Sequence, residues 1–481
     1  LVAIQLGEKM RTKTLLILIG LFVAVTAQAD VLENRALEFD DWANDYHFSP
    51  LGGIGYVYFV EPSSYEINRF AFSDSTIWTG TYLAAEAFRY AVTGDADAKA
   101  NAIRTVQGLD THLKITQVPG FIARGAAPDE PPYNTSYVGH SRYVAGTGDW
   151  QGYFWVNNTS RDQYTGWFFG MAIAYDLIDD EPTRQIIRDD VKEVIDKLRE
   201  QNYWILGENG QATDAGPHVL YLQRLSWTLI ASHVLGDPDY YALYEQMYED
   251  YKPKLPLDTF SFFNKYTEYY GFNLVHENFF NVFRLDPNPE RRAEYMDLFY
   301  KNVRKLVHFT HNVFFDAIYL SQCERSGGCV DYAAHADDVV AQIADFQDPP
   351  IREVPVVIPD WPLDPVSVLI SDLIDRLGIR NLIDINYQTL DPRPVIYRCP
   401  RSFMWQKPPY NLDCPGGDGT EVYPGVDYMV AYWMGRYYDL IDPGNPDDPY
   451  WPPDEGDDDD DDDTSADGST DSDDEDEGCC G

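Results

Sequence analysis

The chain has 481 residues, 79 of them acidic against 36 basic, and a formal net charge of −43. A field of that sign repels polyanions, which excludes nucleic acid as a partner and makes a densely sulfated polysaccharide a poor one. The length, with 15% aromatic residues, suits one large packed domain or two medium ones.

The first element is a leader. Met10 is followed by Arg11 and Lys13, by an apolar run from Leu15 to Thr26 broken only by Gly20, and by Ala27-Gln28-Ala29. That order is a secretory signal peptide over residues 10–29, cut before Asp30. The run of about 12 residues falls short of the roughly 20 that a membrane-crossing helix needs. An exported protein is expected, periplasmic, extracellular or at the cell surface.

Helical patterns then follow one another: Ser75 to Thr93, Asp97 to Leu113, Arg161 to Leu177, Thr183 to Tyr203, His218 to Leu235, Asp239 to Tyr251, Phe272 to Phe283 and Glu290 to His311. Asp364 to Gly378 and Val426 to Asp439 add two more. Gly and Pro stop these segments, and Asp, Ser or Thr precede them. An apolar, aromatic-rich helix alternates with a more charged one across a tight acidic turn. Such alternation predicts a ring of hairpins with one helix of each pair buried, or an open solenoid. No Gly/Ser linker divides residues 30–453, so a single mainly helical domain is expected there. The stretch from Asp331 to Tyr423 departs from clean hairpins.

The segment from Asp74 to Tyr90 with Thr93-Gly94-Asp95, and Ser160 to Gly170, resemble the inner helices of (α/α) toroid proteins. That group includes the six-hairpin glycosidases and the helical polysaccharide lyases. The likeness covers roughly residues 60 to 440 and is one of architecture, with no specific family matched. It implies a toroid fold and a carbohydrate-active enzyme. A non-catalytic surface protein that binds a glycan or another partner is the competing class.

In a ring of hairpins, loops and inner-helix starts line the cavity. Asp74 and Asp162 begin two such helices, and hydrolysis of a glycosidic bond needs two carboxylates. The plain alternative is helix capping. Asp427, in the first turn of the last helical segment, is a third candidate carboxylate. A lyase would instead use His276 or Tyr270 as base or acid, with Arg124 and Asn278 neutralising a uronate carboxylate. The stretch from Val118 to Asp162 is the longest loop-like one, and long loops in compact domains are often functional. It carries Arg124, Tyr133, His140, Arg142, Trp150 and Trp155, and His218 stands at a later helix start; these are the candidate substrate contacts. A glycan or small molecule is the expected ligand.

His308 and His311 share one helix face but lack a nearby third ligand, so no metal site is expected. HExxH, GxSxG, P-loop and GxGxxG fingerprints do not occur, and no cofactor is expected. Cys323, Cys329, Cys399 and Cys414 read as two disulfides, local pairing being the simplest of three arrangements and zinc the competing reading.

Residues 454–481 form an acidic tail, with an unbroken run from Asp457 to Asp463. It is expected to be a disordered, solvated spacer that binds Ca²⁺ weakly at most. It ends in Gly478-Cys479-Cys480-Gly481, which resembles the Cys-Gly motif of some bacterial surface-sorting tags. The apolar helix and basic cluster of those tags do not follow here. Either the sequence is truncated within such a tag, with attachment to an envelope through this end expected, or the likeness is accidental. The sequence does not fix the oligomeric state.

Overall fold

The structure is a computed structural model, and it describes residues 31–259, 269–380, 386–412 and 414–442. The expected signal peptide and acidic tail lie outside the described residues. Within them the chain is mainly helical. The first helices are α1 Val31–Trp42, α2 Ser75–Thr93, α3 Ala96–Lys114, α4 Arg161–Leu177, α5 Glu181–Glu200, α6 Tyr221–Leu235 and α7 Pro238–Tyr251. They are followed by α8 Tyr270–Leu285, α9 Pro289–Phe299, α10 Val313–Leu320, α11 Tyr332–Ala344, α12 Pro365–Leu377 and α13 Val426–Tyr437.

Two kinds of helix alternate. In α2 every residue from Ser75 to Arg89 is buried, in α4 every residue from Gln163 to Ala174, and in α8 every residue from Gly271 to Phe283. A helix enclosed on all sides has no polar face to show to water, which accounts for their composition. In contrast, α3, α5 and α7 bury one stripe and turn charged residues outward. Their starts are capped by side chains: Asp95, Asp180 and Asp237 each accept from a backbone N–H, as Asn288 does for α9. Left-handed glycines end α2 and α6, Gly94 at φ 68° and Gly236 at φ 63°.

The enclosed helices contact one another in sequence, α2 with α4, α4 with α6, α6 with α8, α8 with α10 and α10 with α13, and α13 returns to α2. Outside them α3 lies on α2, α7 on α6, α9 on α8, α11 on α10 and α1 on α13. The tightest seam joins α2 and α4. A Cβ on Gly80 would stand 2.0 Å from the Gly166 carbonyl oxygen, and one on Gly170 would stand 2.2 Å from that of Gly80. Only hydrogen fits there.

Seven short strands complete the fold: β1 Tyr56–Phe59, β2 Ile67–Ala71, β3 Ala126–Pro128, β4 Tyr143–Ala145, β5 Tyr153–Val156, β6 Ile351–Arg352 and β7 Glu421–Tyr423. They form two antiparallel sheets, in the orders β2-β1-β7-β6 and β3-β5-β4. The second sheet occupies the stretch expected to be a long loop. A smaller apolar cluster of Val57, Phe59, Phe70, Phe72, Phe154 and Val422 packs between them.

The helix expected from Glu290 to His311 runs from Pro289 to Phe299, passes through a π turn at Tyr300–Arg304 and finishes with a short α-helical turn at Lys305–Val307. The π turn carries Arg304, fully buried, onto Asp316 and to 3.1 Å from the His335 ring nitrogen. The cysteines pair locally, Cys323 with Cys329 and Cys399 with Cys414, at Cα separations of 5.0 and 5.3 Å. Such bonds fit an oxidising compartment. No described helix is long and apolar enough to cross a membrane.

Candidate functional site

The starts of α2 and α4 lie side by side because the glycine seam fixes the two helices against each other. Asp74 occupies the position before α2, yet its side chain caps nothing. Instead its Oδ1 accepts from Arg124 Nη2 at 2.5 Å and from Gln163 Nε2 at 2.9 Å. Gln163 is pinned in turn, its Oε1 accepting from the Ile77 N–H at 3.1 Å. Arg124 also donates to the carbonyls of Ser73 and Asn158 and to Ser160 Oγ. The guanidinium thereby ties the start of α2 to the strand-and-loop segment that leads into α4.

Asp162 sits in the first turn of α4, half-buried, with no hydrogen-bond partner among the described residues. Burial pushes its carboxyl above the usual carboxylate range; Arg161 opposes the shift and Asp74 adds to it. Two acids that feel each other, one in an ion pair and one unbonded, are thus held at neighbouring helix starts. Among the enclosed helices neither start uses its acid as a cap, whereas the outer helices do. The capping explanation therefore fails for both.

Below them the interior stays polar. Glu277 on α8 is fully buried, accepts from Asn273 Nδ2 at 2.7 Å and has its second oxygen without a partner. Burial pushes it up to about 8; the Asn273 bond opposes that and Asp162 adds to it. Thr165 on α4 accepts from Gln223 of α6 at 3.1 Å, which bridges two helices beneath the acids. Tyr56 of β1 reaches the same end, its hydroxyl 2.8 Å from Ser402 Oγ, and its pKa is raised by burial and by Asp74.

An open cleft of about 500 Å³ adjoins, lined by Arg142, Asn157, Asn158, Asn209, Gln211 and Thr213 among others. Neither Asp74 nor Asp162 is among its lining residues; the link to them runs through Asn158, whose carbonyl accepts from Arg124 at 3.2 Å. The size suits a small-molecule ligand, and the lining is mostly amide and hydroxyl.

The remaining sequence candidates distribute unevenly. Asp427 is buried with both oxygens on backbone donors, Oδ2 on the Met404 N–H at 2.9 Å and Oδ1 on that of Tyr428 at 3.1 Å. It anchors the start of α13, and it lies near enough to Tyr56 to raise that hydroxyl's pKa alongside Asp74. His276 is sealed, its Nδ1 2.6 Å from the Phe272 carbonyl and its ring stacked 3.9 Å from that of Phe315. Tyr270 is exposed at the start of α8, so the expected lyase set is not assembled. Asn278 is buried and donates to the Leu274 carbonyl at 2.7 Å.

Trp155 belongs to the core at 2% exposure and offers no free face to a sugar, while Tyr133 is half-buried with one face stacked on Phe70 at 4.9 Å. Both faces of β5 are covered, Trp155 by the main core and Phe154 and Val156 by the smaller cluster. Trp150 is half-buried against Tyr153. His140 is exposed and its Nδ1 accepts from the Arg142 N–H. His218 holds Arg224 at 2.8 Å and packs on Trp204. His311 bonds Asp338 at 2.8 Å, and the described residues contain no group of three side chains suited to a metal.

Sequence reasoning missed Gln163 and Tyr56, and placed Glu277 beside His276 and Asn278 without giving it a role. Glu277 carried a signal, as an acid amid the apolar residues of Phe272 to Phe283. Comparison with known protein families, with curated proteins and with solved structures finds no match for this chain.

Proposed function

We propose that this chain is an exported glycoside hydrolase built on an (α/α) toroid, with Asp162 as general acid and Asp74 as base or nucleophile. The observation that carries the reading is the pair of uncapping acids at the starts of α2 and α4, in contrasting environments beside a polar cleft. A half-buried carboxyl with a raised pKa keeps its proton for the leaving oxygen, while a carboxylate fixed by Arg124 and Gln163 stays oriented toward water or the anomeric carbon. The cycle of contacts from α2 round to α13 supports the toroid, and the two disulfides support export. A neutral glycan suits a cleft whose amides and hydroxyls stand beside Arg142, Glu208 and Asp214, in a chain of such negative charge.

The test is a screen of the purified protein against neutral and uronic polysaccharides, reading reducing ends and unsaturated-uronate absorbance together. New reducing ends without absorbance are expected, and Asp162→Asn should remove them by orders of magnitude. Because Asp162 bonds nothing among the described residues, that variant should keep its stability within about 0.5 kcal/mol. Binding without turnover across the panel would leave a glycan-binding protein instead.

A further inference from the structure

The helix α12 is packed against expectation. Three residues of its inward stripe, Ser367, Ser371 and Ile374, are buried. Its apolar stripe faces away from the described residues: Val366, Leu369, Ile370, Leu373 and Leu377 are 58%, 69%, 38%, 52% and 60% exposed. These positions recur at the spacing of one helical face, about 100° wide. The helix is well anchored all the same. Asp364 caps it by accepting from the N–H groups of Val366 and Ser367, and Ser367 Oγ accepts from the Gln388 N–H at 3.0 Å. Arg380 donates to Ser371 Oγ at 2.8 Å, just beyond its C-terminal end. Polar bonds fix one side, and the side best able to exclude water is left outside.

Such a stripe on a fixed helix is an interaction surface. A lipid surface does not suit it, because the flanking face carries Asp372 and Asp375 beside Arg376 rather than the basic residues that membrane-surface helices present. The stripe is complementary to itself. In an antiparallel pair, the register that sets Val366 against Leu377 of the partner subunit also sets Ile370 against Leu373 of the partner subunit. A twofold axis beside Ser371 and Asp372 therefore brings four apolar contacts into line at once. With Leu363 and Leu390, which flank the start of the helix, the exposed apolar area is on the order of 600 Å² per copy. That meets the lower end of what a specific dimer covers.

We propose that α12 is the seat of a twofold homodimer of this protein, formed by antiparallel apposition of its apolar stripe. The net charge of −43 on each copy opposes association, and salt screens that repulsion while leaving apolar contact intact. The dimer is accordingly weak at low ionic strength and tighter at high.

Analytical ultracentrifugation of the full, disulfide-bonded protein over a range of concentrations, at low and high sodium chloride, tests this. The expected result is a mass that doubles with concentration and does so earlier in high salt. Leu373→Glu should weaken association at least about tenfold, or about 1.4 kcal/mol, with an unchanged melting temperature of the monomer, while Leu373→Met retains it. A monomer under every condition overturns the proposal, and would point to another protein or another segment of this chain as the cover. A dimer that Leu373→Glu leaves unaltered overturns it equally.

Discussion

The enclosed helices and the segment from residue 345 to 423 solve the same problem in opposite ways. In α2 and α4 the backbone satisfies itself, glycines let the helices touch, and the interior is filled by side chains. In the later segment long stretches have no such ladder, and their carbonyls need donors from elsewhere. Buried arginines supply them. Arg393 donates to the carbonyls of Tyr397 and, at 3.2 Å, Pro409, and Arg398 to that of Arg393 at 3.4 Å, while Arg398 also ties the segment to the carbonyls of Thr310 and, at 2.9 Å, His311. The Cys399–Cys414 bond adds a covalent tie. One region is held by close packing, the other by a few strong polar and covalent fasteners. The first should be brittle to volume changes and the second tolerant of them.

Substitutions can break that contrast. The largest effect is expected at the glycine seam. Gly80→Ala sets a methyl 2.0 Å from a backbone oxygen that cannot swing aside, and should cost more than about 3 kcal/mol in a urea titration. A paired comparison comes next. Leu225→Ala, in the fully buried part of α6, should cost about 3 kcal/mol. Leu369→Ala on α12 should cost less than about 0.5 kcal/mol when measured at high dilution. Equal costs would end the distinction between the regions.

The fasteners rank third. The double variant Cys399→Ser with Cys414→Ser opens a loop of sequence separation 15 and should lower stability by about 2–3 kcal/mol. Protons give a separate, pH-dependent effect. Glu277 is raised from its ordinary 4.5 to about 8 on folding, so the native state favours its protonated form. Its contribution is complete below pH 4.5 and is lost as pH rises through about 8. Chemical denaturation across that window should show the decline, and Glu277→Gln should flatten that part of it.

Much of the helical order was legible. Ser75–Thr93 and Arg161–Leu177 match to the residue, because Gly94 and the acidic-Pro break at 179–182 stop them. The two sheets were not, since strands of two to five residues leave little periodicity, and Tyr56 was hidden with them. The acids at residues 74 and 162 were visible as helix starts. What the sequence could not separate was a cap from a poised side chain, because the difference lies in Arg124 and Gln163, remote along the chain from Asp74. The aromatic residues misled for a related reason. Trp155 and Tyr133 are chemically suited to a sugar, and only the tertiary packing decides that the first is buried in the core and the second half-buried against Phe70.

The contacts between the chain's early and late elements carry a kinetic consequence. The Tyr428 hydroxyl donates to the Leu32 carbonyl at 2.9 Å across a separation of 396 residues, Arg436 pairs with Glu33 at 2.8 Å, and β7 pairs with β1. The flank of α2 that α13 covers stays open until residues 426 to 437 have left the ribosome, whereas β1 can already pair with β2 and Asp40 of α1 with Arg89 of α2. Closure of so long a loop is slow compared with forming any one hairpin, and it comes last. A chain that must wait this way offers apolar surface to chaperones until that helix arrives.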